Sequence, residues 1–403
     1  MSAARAAEPE RVFSPEFVRL TAANFCFFMT FASFFLLPIR IHELGGNDRD
    51  VGLTMGMAGV AGLAAVLFVG ALIDRLGCRP FLRAGLAAMA VISLAFAFVD
   101  HVGLTMMALR ALQGLAFAAG FNASSALAAG FAPRDRRATA LGFFGVSTLT
   151  THALAPTIGE QIVRVAGFPA LFAIASAFSA IGLVVAWSLP EALGSAAEGR
   201  GPNPHAAHPH PRNGLPTALR VSLAVTAFCG LAFGAVMTFV PTFTVEARLG
   251  PVATFFLSYT AAAIATRLWA GRTADSFGYR RVILPGIALL SVAILSLSAV
   301  HTMHELAAAG IAFGLAQGVV YPTLNAFSVD LASEGQLGRV QTFYNGSFNL
   351  GVTSGSLALG PIAHAFGHRT MFACAAAMAL TAFLLFAAGT RYRRGIATER
   401  GAQ

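Results

Sequence analysis

Apolar stretches of about 20 residues follow one another along almost the whole chain, and short polar breaks separate them. A run of this length spans the hydrocarbon core of a bilayer as a helix, and it lacks the alternation of a membrane β-strand. Because a chain in lipid must satisfy its backbone hydrogen bonds internally, these runs predict membrane-spanning helices. The predicted spans, twelve in all, are Phe17–Ile39, Val51–Ile73, Pro80–Val99, Gly103–Phe131, Ala138–Val163, Phe168–Leu189, Leu219–Glu246, Val252–Gly271, Val282–Val300, Leu306–Leu331, Val340–Ala363 and Thr370–Thr390.

The composition agrees with a protein that is surrounded by lipid. Of the 403 residues, 56% are hydrophobic and 11% are charged, whereas a soluble domain carries about 25% charged residues. The four cysteines are scattered without a CxxC pair, and the sequence has no nucleotide-binding glycine loop and no cluster of metal ligands. We therefore expect a protein that is not an enzyme and that needs no metal or cofactor.

The basic residues are all arginine, and their positions predict how the chain is oriented. With the N-terminus in the cytoplasm, 20 of the 27 fall on the cytoplasmic side and five outside, while Arg110 and Arg267 fall within spans. Since cytoplasmic loops carry an excess of basic residues, both termini are predicted to be cytoplasmic, in a bacterial inner membrane. This placement also accounts for the net charge of +9 without a nucleic-acid partner. The first apolar run is long enough to be a retained helix rather than a signal peptide.

A polar signature, Gly-x-x-x-Asp-x-x-Gly-x-Arg, is written twice, half a chain apart. Its residues are Gly70, Asp74, Gly77 and Arg79 in the first copy and Gly271, Asp275, Gly278 and Arg280 in the second. Shorter repeated dipeptides lie at corresponding places in the two halves: Gln113-Gly114 matches Gln317-Gly318, and Ala155-Pro156 matches Gly360-Pro361. We therefore predict two repeated six-helix units, residues 1–189 and 219–403, joined by a cytoplasmic linker, residues 190–218. Parallel repeats of this kind place a substrate site between the units, near the middle of the bilayer.

At these residues the chain resembles the major facilitator superfamily. The stretch GALIDRLGCRP resembles the signature loop between helices two and three of that family, and LRALQG (residues 109–114) resembles its helix-four motif. The stretch ALAPTIGE (residues 153–160) resembles the helix-five motif of antiporters, with Ala155, Pro156 and Gly159 in its pattern and Glu160 replacing its last glycine. The resemblance implies an all-α fold of twelve transmembrane helices in two pseudosymmetric bundles, and secondary transport by alternating access. It also implies that Asp74, with Arg75 or Arg79, gates the cytoplasmic side.

Three residues are candidates for coupling transport to protons. Arg110 lies about 10 Å deep in its span, where an unpaired charge is costly, so it is expected to face a cavity. The family resemblance assigns it a part in coupling, and the alternative is a brace that binds backbone carbonyls. Histidine ordinarily titrates near neutral pH, and His152 lies within a span. Glu160 lies in the helix-five motif. No Asp or Glu lies near the centre of any predicted span.

Uncharged polar residues within spans are candidates for lining a substrate cavity, although such residues also join helices. These are Asn24, Gln113, Asn122, Gln317, Tyr321, Asn325, Asn345 and Asn349. We expect a monomer that exports a small apolar or amphipathic compound in exchange for protons. The alternative is uptake or facilitated diffusion of a polar nutrient such as a sugar. A sugar site would favour clustered Asn, Gln and Trp, and the sequence contains only two tryptophans, Trp187 and Trp269.

Overall fold

A computed structural model describes residues 13–133, 136–189, 216–270, 278–332 and 336–400. These residues form helices joined by short turns, and no strand occurs among them. Most of the predicted linker lies outside the described residues, as do Gly271 and Asp275 of the second signature. The elements are α1 (Pro15–Ser33), a 3-10 turn (Phe34–Leu36), α2 (Leu37–Glu43), α3 (Asp48–Leu76), α4 (Cys78–Phe96), α5 (Leu104–Phe131), α6 (Arg137–Trp187), α7 (Thr217–Glu246), α8 (Ala253–Ala270), α9 (Tyr279–Leu297), α10 (Met303–Asp330) and α11 (Leu337–Arg400).

Local capping explains where several of these helices begin. The Ser14 hydroxyl accepts a hydrogen bond from the Phe17 N–H at 3.2 Å at the start of α1. Asn47 and Asp50 form a capping box at the start of α3. Thr302 and Glu305 form another at the start of α10. Each box satisfies backbone N–H groups that have no partner within the helix.

Two helices are too long for a single membrane crossing. Eight described helices are long and apolar enough to cross, but α6 has 51 residues and α11 has 64. At 1.5 Å per residue these would span about 75 and 95 Å, against a hydrocarbon core of about 30 Å. Both are broken at a glycine with positive φ, Gly167 (77°) and Gly367 (80°), so each supplies two crossings. With α3 and α8, the described helices make twelve crossings, which confirms the predicted fold.

The repeated signature marks one end of the helix bundle. Gly77 ends α3 with φ 83° and Gly278 precedes α9 with φ 79°, a conformation that other residues rarely adopt. We call the end that carries these turns the motif end and the opposite end the far end. The repeated glycines Gly114 and Gly318 have a packing role. A Cβ on Gly114 would collide with the Ala58 carbonyl of α3, and a Cβ on Gly318 would collide with the Ala263 carbonyl of α8.

The N-terminal half (residues 13–189) and the C-terminal half (residues 216–400) meet along two antiparallel helix pairs. We call the α3–α11 pair the glycine seam, because its contacts are Gly52 with Gly360, Gly56 with Leu357 and Gly59 with Thr353. We call the α6–α8 pair the polar seam, which is described below. Nearer the motif end both seams open, since a Cβ added at Gly70, Gly142 or Gly346 would meet nothing within 4 Å. The halves are therefore joined at the far end and separated at the motif end.

Candidate functional site between the two halves

The polar seam brings together three residues that lie on one face of α6 with three positions of α8. From the far end inward, Glu160 meets the backbone at Ala253, His152 meets Tyr259, and Gly145 meets Arg267. On α6, successive levels are seven or eight residues apart, which is two helical turns or about 11 Å. Residues at this spacing share a helix face, so the seam forms a continuous strip across the two halves.

Glu160 closes the polar seam at the far end. Its two carboxylate oxygens accept hydrogen bonds from the Val252 and Ala253 N–H groups, at 3.2 and 3.0 Å. These N–H groups begin α8, where a carboxylate is favoured because backbone donors are unpaired and the helix dipole is positive. The structure therefore places this candidate coupling residue in a contact between the halves.

His152 lies at the middle level of the polar seam, between rings of both halves. Its ring is 5.2 Å from the Phe35 ring in the N-terminal half and 6.4 Å from the Tyr259 ring in the C-terminal half. Phe35 in turn stacks on Phe256 of α8 at 5.4 Å. The Nδ1 atom of His152 is buried and has no hydrogen-bond partner among the described residues.

Arg267 occupies the level nearest the motif end. Its Nη1 atom would lie 3.8 Å from a Cβ placed on Gly145, so the guanidinium points at the other half where that half has no side chain. Its positive charge interacts electrostatically with His152 and with three tyrosines, Tyr259, Tyr321 and Tyr344. The buried Nε atom has no partner, and the guanidinium forms no ion pair with any carboxylate that the structure describes.

Arg110 does not face the space between the halves, contrary to the expectation from its depth. Only 3% of the residue is exposed. Its guanidinium donates to the Gln113 side-chain oxygen, contacts the Met55 sulfur at 3.5 Å and lies 5.6 Å above the centre of the Phe34 ring. These contacts all belong to the N-terminal half, so they brace α5 against neighbouring helices of the same half.

Several predicted cavity residues also join helices within one half. Asn24 donates to the Thr148 hydroxyl at 2.9 Å and accepts from the Ser124 hydroxyl at 3.0 Å, which ties α1 to α6 and α5. The Tyr321 hydroxyl donates to the Asn345 side-chain oxygen at 3.2 Å. Of the others, Gln113 and Gln317 are buried, Asn122 donates to a carbonyl of its own helix, Asn325 is half-buried, and Asn349 is exposed.

The gating and helix-five motifs are described in part. Arg75 is exposed, Arg79 is mostly buried and Arg280 is half-buried, whereas the Asp74 side chain lies outside the described part of the chain. The gate therefore stays a prediction. In the helix-five motif Ala155, Pro156 and Gly159 are all buried, and a Cβ on Gly159 would lie 3.0 Å from Leu36 and 3.1 Å from Leu171. These three residues pack within the N-terminal half.

A second cross-half contact at the far end was not found by sequence reasoning. The Asp48 carboxylate lies 3.1 Å from the His42 ring and 3.2 Å from the His368 ring, and His368 also lies 2.8 Å from Glu246. The Thr242 hydroxyl is 3.1 Å from the same His368 ring. Burial raises the pKa of Asp48, but hydrogen bonds with His368 and His42 outweigh it and hold that pKa well below its usual value. The signal in the sequence was His368 directly after the Gly367 break.

A membrane bundle of two repeated halves, joined at one end around a central space, is the architecture of a secondary transporter. The family model of the Major Facilitator Superfamily matches residues 20–266 and 251–401. The chain therefore belongs to this superfamily, whose members are transporters rather than enzymes, and it is a multi-pass membrane protein.

Individual relatives and structures agree with this assignment. The staphylopine export protein of Staphylococcus aureus is 23% identical over 367 residues, covering 88% of this chain and 91% of the relative. The multidrug resistance protein MdtG of Salmonella arizonae is 25% identical over 398 residues, covering 94% and 95%. A point mutant of the nucleoside transporter NupG shares the fold with a TM-score of 0.75 at 14% identity, covering 93% and 99%. The human organic anion transporter MFSD10 (TETRAN) does so with a TM-score of 0.68 at 17% identity, covering 93% and 100%.

Proposed function

We propose that the protein exports a small apolar or amphipathic compound in exchange for protons, by alternating access from a bacterial inner membrane. The observation that carries the proposal is the asymmetry of the central space. The halves are joined at the far end by polar contacts and are separated at the motif end. The names of the staphylopine export protein and of the multidrug resistance proteins favour export.

The predicted orientation gives this asymmetry a direction. With both termini and the motif end in the cytoplasm, the structure is open to the inside and closed to the outside. An exported compound would enter from the cytoplasm or the inner leaflet and leave after the far end opens. The halves, proposed to be residues 1–189 and 219–403, would rock against each other about the central site.

Glu160 is the strongest candidate for linking this motion to a proton. Both of its oxygens accept a backbone N–H, which is the arrangement of an ionised carboxylate. Opening of the far end removes both donors, so protonation of Glu160 and closure of the far end compete. A ligand that prefers one conformation shifts the population towards it, and here the ligand is the proton. His152 lies about 12 Å nearer the motif end on the same face, where it can pass the proton inward.

The alternative is transport of a polar nutrient. The structural neighbour NupG is a nucleoside transporter, but its 14% identity supports the shared fold alone. The buried aromatic rings at the middle level of the seam favour a more apolar compound. A panel that contains both kinds of compound separates the two functions.

Glu160→Gln tests the proposal in proteoliposomes with an imposed pH gradient. The amide retains one acceptor and cannot ionise, so we expect gradient-driven accumulation to fall at least about tenfold, as in the loss of a general proton carrier. Exchange of substrate for substrate without a gradient should persist. Glu305→Gln is the matched control, because Glu305 also caps a helix at the far end, through His301 and Thr302 of its own half. Unchanged gradient-driven transport by Glu160→Gln would contradict proton coupling through this residue.

A further inference from the structure

We infer that the compound carried is an organic anion and that Arg267 binds its anionic group. The inference rests on the proposed function, since it names the substrate class of the same central site. It begins from the charge balance of that site. Arg267 lies within a predicted span and faces the other half, whereas Arg110 is enclosed within its own half, and no carboxylate lies near the centre of any predicted span. Arg267 therefore brings a positive charge to the space between the halves, and it has no ion-pair partner among the described residues.

The two arginines differ in what they contact. Arg110 is enclosed by Gln113, Met55 and Phe34 within its own half. Arg267 is half-buried and has no such partners among the described residues, and its Nη1 atom points across the seam to Gly145. A guanidinium offers five N–H donors in a planar fork that fits a carboxylate or sulfonate. Arg267 lies in the last turn of α8 and its guanidinium faces the space between the halves, so an anionic ligand that enters this space from the motif end is the fitting partner.

The residues around Arg267 suit a compound with an anionic head and an apolar body. Glycine at position 145 leaves room beside the guanidinium, and the Tyr259 hydroxyl makes no hydrogen bond with any described residue. Towards the far end, the stacked rings of Phe35 and Phe256 form an aromatic surface that bridges the two halves. An anion would place its charged group at Arg267 and its apolar part towards this aromatic surface.

The same charge excludes the opposite class of substrate. A cationic compound would meet a positive group at the Arg267 level, while the carboxylate of the same seam, Glu160, is held by backbone N–H groups about 22 Å further along α6. Like charges in a region of low dielectric repel strongly. The site therefore excludes cationic compounds by their charge, whatever their shape. Discrimination of this kind needs only one unpaired charge, because specificity is a difference between two affinities.

Two xanthene dyes of opposite charge, fluorescein and rhodamine 6G, test the inference with one molecular scaffold. Uptake of each dye is measured in inverted vesicles that contain the full-length protein, together with taurocholate as a second amphipathic anion. Binding of fluorescein to the purified protein is measured separately by fluorescence anisotropy. We expect wild type to bind and transport the anions and to exclude rhodamine 6G.

Substitution of Arg267 should change the charge preference. Arg267→Gln should weaken fluorescein binding roughly tenfold to a hundredfold, as for a lost charge-assisted hydrogen bond, and should no longer exclude rhodamine 6G. Arg267→Lys should recover part of the binding, since it keeps the charge and loses the planar fork. Arg220→Gln is the control, because Arg220 is an exposed arginine on α7 at the motif end.

Each other outcome overturns either the inference or the proposed function. Transport of rhodamine 6G but not of the anions by wild type would overturn the anion inference and leave export standing. An equal loss of both dyes in Arg267→Gln would also overturn it, because that result assigns Arg267 a structural role. If wild type moved none of the three compounds, the proposed export of amphipathic compounds would itself fall.

Discussion

The glycine seam and the polar seam occupy equivalent places in the two-fold repeat, yet they are built from different chemistry. Along the glycine seam the helices approach closely, because Gly52 packs against the α11 backbone and Gly56 and Gly59 leave room for side chains of α11. The three levels of the polar seam instead carry Glu160, His152 and Arg267. The comparison teaches that the repeat fixes where the halves meet but not what the contact does. The first seam suits a close pivot, and the second carries the residues proposed for binding and proton coupling.

The two seams also end differently at the far end. The polar seam ends in a carboxylate that accepts backbone N–H groups, at Glu160. The glycine seam ends between side chains, where Asp48 of one half meets His368 of the other. His368 is 4% exposed, so this contact is shielded from water. Both contacts must break if the far end opens.

The largest effect is expected from filling the glycine seam. In Gly52→Ala the new Cβ would lie 2.5 Å from the Ser356 carbonyl oxygen, so the backbones must move apart. Overpacking of this kind costs about 1–3 kcal/mol, and the melting temperature of the purified protein should fall. Gly346→Ala is the matched control on the same seam, because its Cβ would meet nothing and alanine favours helix by about 1 kcal/mol. Equal melting temperatures for the two variants would contradict the close contact.

A smaller effect is expected at the contact that ends the glycine seam. Since the pKa of Asp48 is lowered in the folded protein, its contribution is complete above the usual Asp pKa and is lost as the pH falls through the lowered value. Asp48→Asn should therefore destabilise the protein at pH 7 by about 1–2 kcal/mol, because a charged acceptor forms stronger hydrogen bonds than the neutral amide oxygen that replaces it. Thermal melting across pH checks this, and the difference from wild type should shrink in strong acid.

Asp100→Asn gives the control for this measurement. Asp100 also pairs with a histidine at the far end, His101, but both side chains are exposed. An exposed pair contributes little to stability, so no measurable change is expected. A loss in Asp100→Asn as large as that in Asp48→Asn would show that burial across the halves is not what makes the Asp48 contact matter.

Much of the fold could be predicted from the sequence, because lipid leaves few alternatives to apolar helices. The repeated signature predicted two repeated units, and the breaks at Gly167 and Gly367 fall between predicted spans. The direction in which an individual side chain points was harder to predict. Arg110 and Arg267 look alike in the sequence, and their different contacts depend on which neighbours each helix meets. Asp48 and His368 lie near opposite ends of the chain, so only the folded structure shows that they pair.

The central claim is that the two ends of the bundle open in alternation. Distances between paired spin labels, in a background without the four native cysteines, measure this directly. Labels at Asp100→Cys and Met303→Cys report the far end, and labels at Leu76→Cys and Arg281→Cys report the motif end, all at exposed positions. We predict that a shift of pH or the addition of fluorescein lengthens one distance while it shortens the other. Distances that stay fixed, or that lengthen together at both ends, would contradict the account.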